Sequence, residues 1–196
     1  MEYSLLKFFH ILGAVLIGGG LIGVWMADLR SRQLHDLKPF SEAVRNIAVF
    51  YDGLVVPGAL MLASSGGWMI VKFYGGWNFW QIPWLAGMVG LFALEFIEGN
   101  TITRLYFMRL RRLTRSALDV GYMTSELQQA RGEVMPTFTH FLDLPILFLI
   151  MALGTTQPAR WTLFFVGSLA AIALAMLLTV FIPRLYPWPI VNGKFS

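Results

Sequence analysis

The 196 residues include no cysteine and only three histidines. The first absence excludes disulfides, iron–sulfur clusters and thiolate zinc sites, so any metal must rest on His, Met, Asp, Glu or Tyr. Charge is also scarce: Asp, Glu, Lys and Arg make up 13% of the chain, against roughly a quarter in a soluble domain. Hydrophobic residues make up 57%. That balance excludes an ordinary soluble domain and defines an integral membrane protein. The net charge of +4 does not call for nucleic acid, because arginines beside anionic lipid act as topology signals. No internal repeat and no low-complexity segment is evident.

Five apolar runs, over about 4–27, 47–72, 80–103, 138–157 and 161–183, approach the roughly 20 residues needed to cross the hydrocarbon core. The first is read as a retained span and not as a cleaved signal: its apolar stretch is too long, Lys7 is the only early positive charge, and no small-x-small site follows. Twelve of the fifteen Lys and Arg fall in 28–46, 104–137 and the C-terminal tail, leaving Lys7, Lys72 and Arg160. The excess of positive charge on the cytoplasmic side then predicts the N-terminus outside and the C-terminus inside. The segment from Arg104 is expected to prolong the third helix beyond the membrane, with Leu105, Met108 and Leu113 on a side that can lie along it. Trp77, Trp80, Trp84, Trp161 and Trp188 cluster at predicted helix ends, where tryptophans anchor at the interface.

Polar side chains inside such spans are costly and usually face a partner or a cavity. Here they divide by depth. His10 lies on the order of 10 Å below the outer boundary at about 1.5 Å per residue. Asp52, Glu95, Glu98, His140 and Asp143 fall near the inner side. His10 and His140 are therefore expected near opposite faces, too far apart to hold one haem between them.

On a helix Gly13, Ala14 and Gly20 share the His10 side. A face cleared of side chains beside an imidazole suits a porphyrin whose iron takes His10 as axial ligand. It suits close helix packing equally well. Met88 or Met151 could be the sixth ligand, although methionine is more often core filler. In the inner group, Glu95 and Glu98 are three apart, as are His140 and Asp143, so each pair projects from one helix face. Together with Asp52 they form a candidate cluster for a metal cation, protons or a quinone head group. Neutralisation by Arg104 and its neighbours is the plainer reading.

The opening "LLKFFHILGAV" resembles the first helix of the HemJ-type protoporphyrinogen oxidases, whose His at that position is taken as a haem ligand and corresponds to His10. "YDGLVVPGALMLASSGGWMI" resembles their second helix, "WLAGMVGLFALEFIEG" their third, and "LDLPILFLIMALGTTQP", with Asp143 and Pro145, their fourth. The resemblance covers about residues 5–158. It is closer still to a group of uncharacterised bacterial membrane proteins, domain-of-unknown-function family 2269, placed with CopD and HemJ in one superfamily. Two departures count against oxidase activity: Gly87 and Met88 stand where that family has a lysine, and Glu98 or its neighbour replaces an expected His.

The sequence is thus read as an all-α, polytopic transmembrane bundle of five helices forming one domain over 1–196, with the helix 161–183 beyond the family resemblance. The leading expectation is a b-type haem protein of the bacterial inner membrane, with His10 as axial ligand and Gly13 and Gly20 beside the ring. It would serve in electron transfer, or as a subunit of a quinone-linked respiratory complex, alone, as a homo-oligomer or with other membrane subunits. The alternative is a cofactor-free transporter or assembly subunit that handles a metal cation or protons at Asp52, Glu95, Glu98, His140 and Asp143. A third reading is a purely structural accessory subunit.

Overall fold

A computed structural model describes residues 1–187; Trp188 and Lys194 lie outside the described residues. Eight α-helices account for nearly all of it: α1 (Glu2–Arg32), α2 (Leu37–Phe50), α3 (Val56–Phe73), α4 (Pro83–Glu98), α5 (Arg104–Val120), α6 (Ser125–Arg131), α7 (Val134–Thr156) and α8 (Thr162–Leu185). Two π turns, Tyr51–Val55 and Gly99–Thr103, weld α2 to α3 and α4 to α5. The described residues therefore include five continuous helices long and apolar enough to cross a membrane, and the chain is a multi-pass integral membrane protein.

Each π turn has a local cause. Pro57 follows the first. A proline ring inside a helix clashes with the carbonyl four residues back, here that of Gly53, and a widened turn makes room for it. At the second, Asn100 Nδ2 donates to the Phe96 carbonyl (2.8 Å) and Thr101 Oγ1 to that of Ile97 (2.7 Å). Side chains that compete for backbone acceptors loosen the ladder there.

The helices outrun the bilayer. Leu37–Phe73 has 37 residues and Pro83–Val120 has 38, about 55 Å each at 1.5 Å per residue, whereas the hydrocarbon core is about 30 Å thick. The surplus, α2 and α5, forms a second layer with α6 at the arginine-rich end, hereafter the basic end. There Phe40, Val44 and Ile47 of α2 meet Leu110 and Ala117 of α5 and Leu127 of α6, all nearly inaccessible. The segment 28–46 between the first two apolar runs is thus largely helical: beyond the membrane the apolar stripe at 37, 40, 44 and 47 still drives packing. Arg131 of α6 is buried with its guanidinium 4.9 Å from the Phe40 ring, and burial holds its pKa down at about 10.

Within the membrane, α1 packs on α3, and α7 packs on α4, α8 and α1. α7 is central: 67% of its apolar window is buried, against 11% for α8. α8 leans on α7 and leaves Phe165, Leu169, Leu177 and Phe181 exposed to lipid. At the opposite, tryptophan-rich end, Gly75 (φ 76°) and Gly76 (φ 59°) turn the chain into a 3-10 segment, Gly76–Gln81, ahead of α4.

Candidate functional site

A carboxylate centre beside a lateral cleft lies where the two π turns meet. Glu95 and Glu98 project from one face of α4 toward α7, whose Asp143 points back. Each of the three offers an oxygen, and these oxygens lie within 4.8 Å of one another. Asp143 is 5% exposed. Among the described residues no Lys, Arg or His nitrogen comes within 4 Å of these three groups; the ion pairs are elsewhere. Three full charges at that spacing would repel by about 3 kcal/mol per pair at an effective dielectric constant of about 20. Protons shared among the acids, or a bound cation, would relieve that repulsion.

The surrounding hydroxyls are ordered. Thr103 Oγ1 donates to Glu98 Oε1 (2.7 Å), and the Thr139 hydroxyl lies 3.0 Å from that of Thr103. The Thr139 hydroxyl also lies 3.2 Å from the Pro136 carbonyl, so its one proton serves either that carbonyl or Thr103. Glu98 Oε2 is buried and accepts from no N–H or hydroxyl among the described residues. Tyr51, from the first π turn, is 6% exposed. Its ring reaches Gly99 of the second so closely that a Cβ on Gly99 would stand 2.7 Å from the hydroxyl oxygen. That hydroxyl has no hydrogen bond among the described residues.

Tyr51, Glu95 and Asp143 line a cavity of about 100 Å³ walled by Val55, Phe92 and Leu147. Leu60 of α3 and Phe96 of α4 also line it, and both are exposed, at 57% and 40%. α3 packs on α1, and α4 on α7, so the cleft between α3 and α4 opens sideways toward lipid.

Two members of the candidate cluster do not join. Asp52 points away and pairs with Arg104 (3.2 Å), both about half exposed; the arginine read as a neutraliser of the whole cluster thus serves Asp52 alone. His140, one helical turn from Asp143, faces α1 instead. It is 2% exposed, enclosed by Trp25, Phe107 and Phe141, with Nε2 4.0 Å from Asp28 Oδ2. That oxygen accepts from Arg32 Nε (2.9 Å), and both ring nitrogens of His140 lack a hydrogen bond.

The residues assigned to a haem are also dispersed. Gly13 and Gly58 cross backbone to backbone: a Cβ on either would stand 2.8 Å from the other's carbonyl oxygen. Gly20 is pressed against Val55 and Leu54. The cleared face beside His10 is therefore filled by the second span. The imidazole itself is held by that span, Nδ1 3.3 Å from Ser65 Oγ. Because Ser65 gives its own proton to the Met61 carbonyl (2.6 Å), Nδ1 is the donor in that contact. Met88 is packed against Gly154 of α7, and Met151 is 47% exposed. Gly13 and Gly20 are thus engaged in helix packing, His10 faces Ser65, and Met88 faces Gly154.

Sequence reasoning did not single out Tyr51, Thr103 or Thr139. The only signals were the prolines, glycines and Asn-Thr pair that mark the π turns, and these gain meaning once the helices are side by side.

A family model described as "Predicted integral membrane protein (DUF2269)" matches residues 4–158. No curated protein and no solved structure matches the chain. The match spans the first four membrane helices, including every residue of the carboxylate centre and its hydroxyl neighbours, and stops short of α8. This chain, with five apolar helices among its described residues and a carboxylate triad anchored on the buried Asp143, belongs to the DUF2269 family of predicted integral membrane proteins.

Proposed function

We propose that the protein takes up and releases protons at Glu95, Glu98 and Asp143, as a carrier or as the proton-handling subunit of an assembly in the bacterial inner membrane, with its basic end in the cytoplasm. The observation that carries this reading is the set of three carboxyl groups within 4.8 Å of one another, without a basic partner, in apolar surroundings. Shared protons supply the missing counter-charge, and intramembrane acids of this kind mark proton relays. Thr103 and Thr139 extend the set toward the basic end. Tyr51 and the cleft extend it toward lipid, where a bilayer-soluble proton donor such as a quinol can approach.

A divalent cation is the second reading, favoured by the oxygen-only donor set, which suits hard ions such as Mg²⁺ or Mn²⁺. Both are tested on one preparation. In liposomes with an internal pH dye and an imposed potassium diffusion potential, the wild type acidifies the lumen and Asp143→Asn does not. Absence of flux together with stoichiometric Mn²⁺ binding that Asp143→Asn abolishes assigns the centre to the metal. Absence of both overturns the two readings. A reduced-minus-oxidised spectrum with a b-type signal that disappears in His10→Ala would replace them with the haem expectation.

A further inference from the structure

Away from the carboxylate centre, the arginines of the basic end form a second feature. A groove of about 420 Å³ runs between α2 and α5, walled by Arg45 on α2 and by Arg111, Arg112 and Arg115 on α5. Its floor includes Val44 and Leu118. Among the described residues no carboxylate lies within 4 Å of any of these four guanidinium groups, whereas Arg104 and Arg109 each have one. Four exposed guanidinium groups thus line one groove without a side-chain counter-charge, an arrangement that favours an anion between them.

The helix faces leading to the groove indicate which anion. On α5, positions 105, 108, 112 and 115 fall on one side at helical spacing. Leu105 and Met108 are each 55% exposed, and the next positions along that side are arginines. On α2, Val49 is 59% exposed, and one turn away, farther from the membrane, stands Arg45. Both helices change from exposed apolar to exposed basic at the level of the groove. An amphiphile with an anionic head has that profile, and a soluble anion has no use for the apolar approach.

We propose that this groove is a discrete site for the head group of an anionic phospholipid. The phosphate lies among Arg45, Arg111, Arg112 and Arg115, and an acyl chain runs back past Met108, Leu105 and Val49 into the bilayer. Guanidinium groups match phosphate through paired N–H donors. General attraction of a basic surface to anionic lipid is diffuse; a groove formed by two helices binds one molecule per chain. Its occupant also bridges α2 and α5, which continue through the π turns into the helices flanking the cleft.

The test is native mass spectrometry of the detergent-purified full chain with phosphatidylglycerol or phosphatidylcholine added. The expected result is one phosphatidylglycerol retained under activation that strips phosphatidylcholine. Combined Arg111→Gln, Arg112→Gln and Arg115→Gln lowers that retained fraction by about tenfold, a change of about 1.4 kcal/mol. Arg109→Gln with Arg160→Gln, which removes charge outside the groove, leaves it unchanged. Lysine at the same three positions keeps the charge without the planar fork and retains an intermediate fraction, with an unchanged helical circular dichroism spectrum showing that the fold is intact. Equal retention of phosphatidylcholine, or undiminished retention in the glutamine variant, would overturn the proposal. Displacement of the lipid by an equal concentration of inorganic phosphate would overturn it too, assigning the groove to a soluble anion.

Discussion

His10 and Asp143 are both ionisable groups set in apolar helices, yet their surroundings differ in kind. Around His10 the backbone is closed: Gly13 and Gly58 bring α1 and α3 into contact, and the imidazole is held by Ser65. Around Asp143 the backbone is opened, with a π turn on either side and a proline, Pro145, within α7 itself. The nearest polar groups there are two more acids and a phenol without a hydrogen bond. One polar group is absorbed by packing; the other is left dependent on something that is not a side chain. That difference, more than residue type, separates a structural polar residue from a candidate functional one.

The contrast can be broken at four points. The largest effect is expected from Gly58→Leu. Its Cβ meets the Gly13 carbonyl, a backbone atom that cannot turn aside, at 2.8 Å, and overpacking of this kind costs about 3 kcal/mol. Thermal unfolding in detergent should show loss of most of the folded protein. A variant as stable as the wild type would mean that α1 and α3 are not tightly closed.

Next in size, Asp143→Asn should reduce proton flux by at least about tenfold, or about 1.4 kcal/mol, while raising the unfolding temperature. It replaces one member of a crowded carboxyl cluster by a group that carries no charge in any protonation state, and functional sites commonly trade stability for activity in this way. An unfolding temperature lowered with flux intact would make the triad a structural element.

His10→Ala should cost about 1 kcal/mol through the lost contact with Ser65, with flux unchanged. If His10→Ala abolishes activity and Asp143→Asn does not, the assignment of roles is reversed. The smallest effect is expected of Tyr51→Phe, a several-fold loss of flux at nearly unchanged stability. Gly99→Ala should mimic it by displacing the same hydroxyl, whose oxygen is 2.7 Å from the added Cβ. The two effects should not add, since residues sharing one contact couple.

All five spans were legible in the apolar runs, because lipid selects on composition over about 20 residues. Helix ends were not. Residues 37–46 read as part of a charged connecting segment until Leu37, Phe40 and Val44 find partners to pack on. The pairing of Glu95 with Glu98 was visible in their spacing. The same logic misled at His140, since two residues three apart on a helix are directed to different neighbours when it is packed on several sides, as α7 is. The contact of Tyr51 with Gly99 was not legible: Pro57 and the Asn100-Thr101 pair mark the two π turns locally, but the register that sets the turns side by side is fixed between helices.

Those turns have a mechanical consequence. A π turn is an α-helix carrying one residue too many, and the surplus can be handed along the helix without breaking the chain. Each residue it passes swings by about 100°, the angular step of the α-helix. In Pro83–Val120 the residue next to the bulge on one side is Glu98, and in Leu37–Phe73 the first residue of the bulge is Tyr51. A one-step migration of either turn would rotate Glu98 relative to its two fellow acids, or Tyr51 relative to the cleft it lines. Such motion needs no hinge between rigid bodies and no change in helix packing elsewhere, and gating by this route would leave the outline of the protein unaltered.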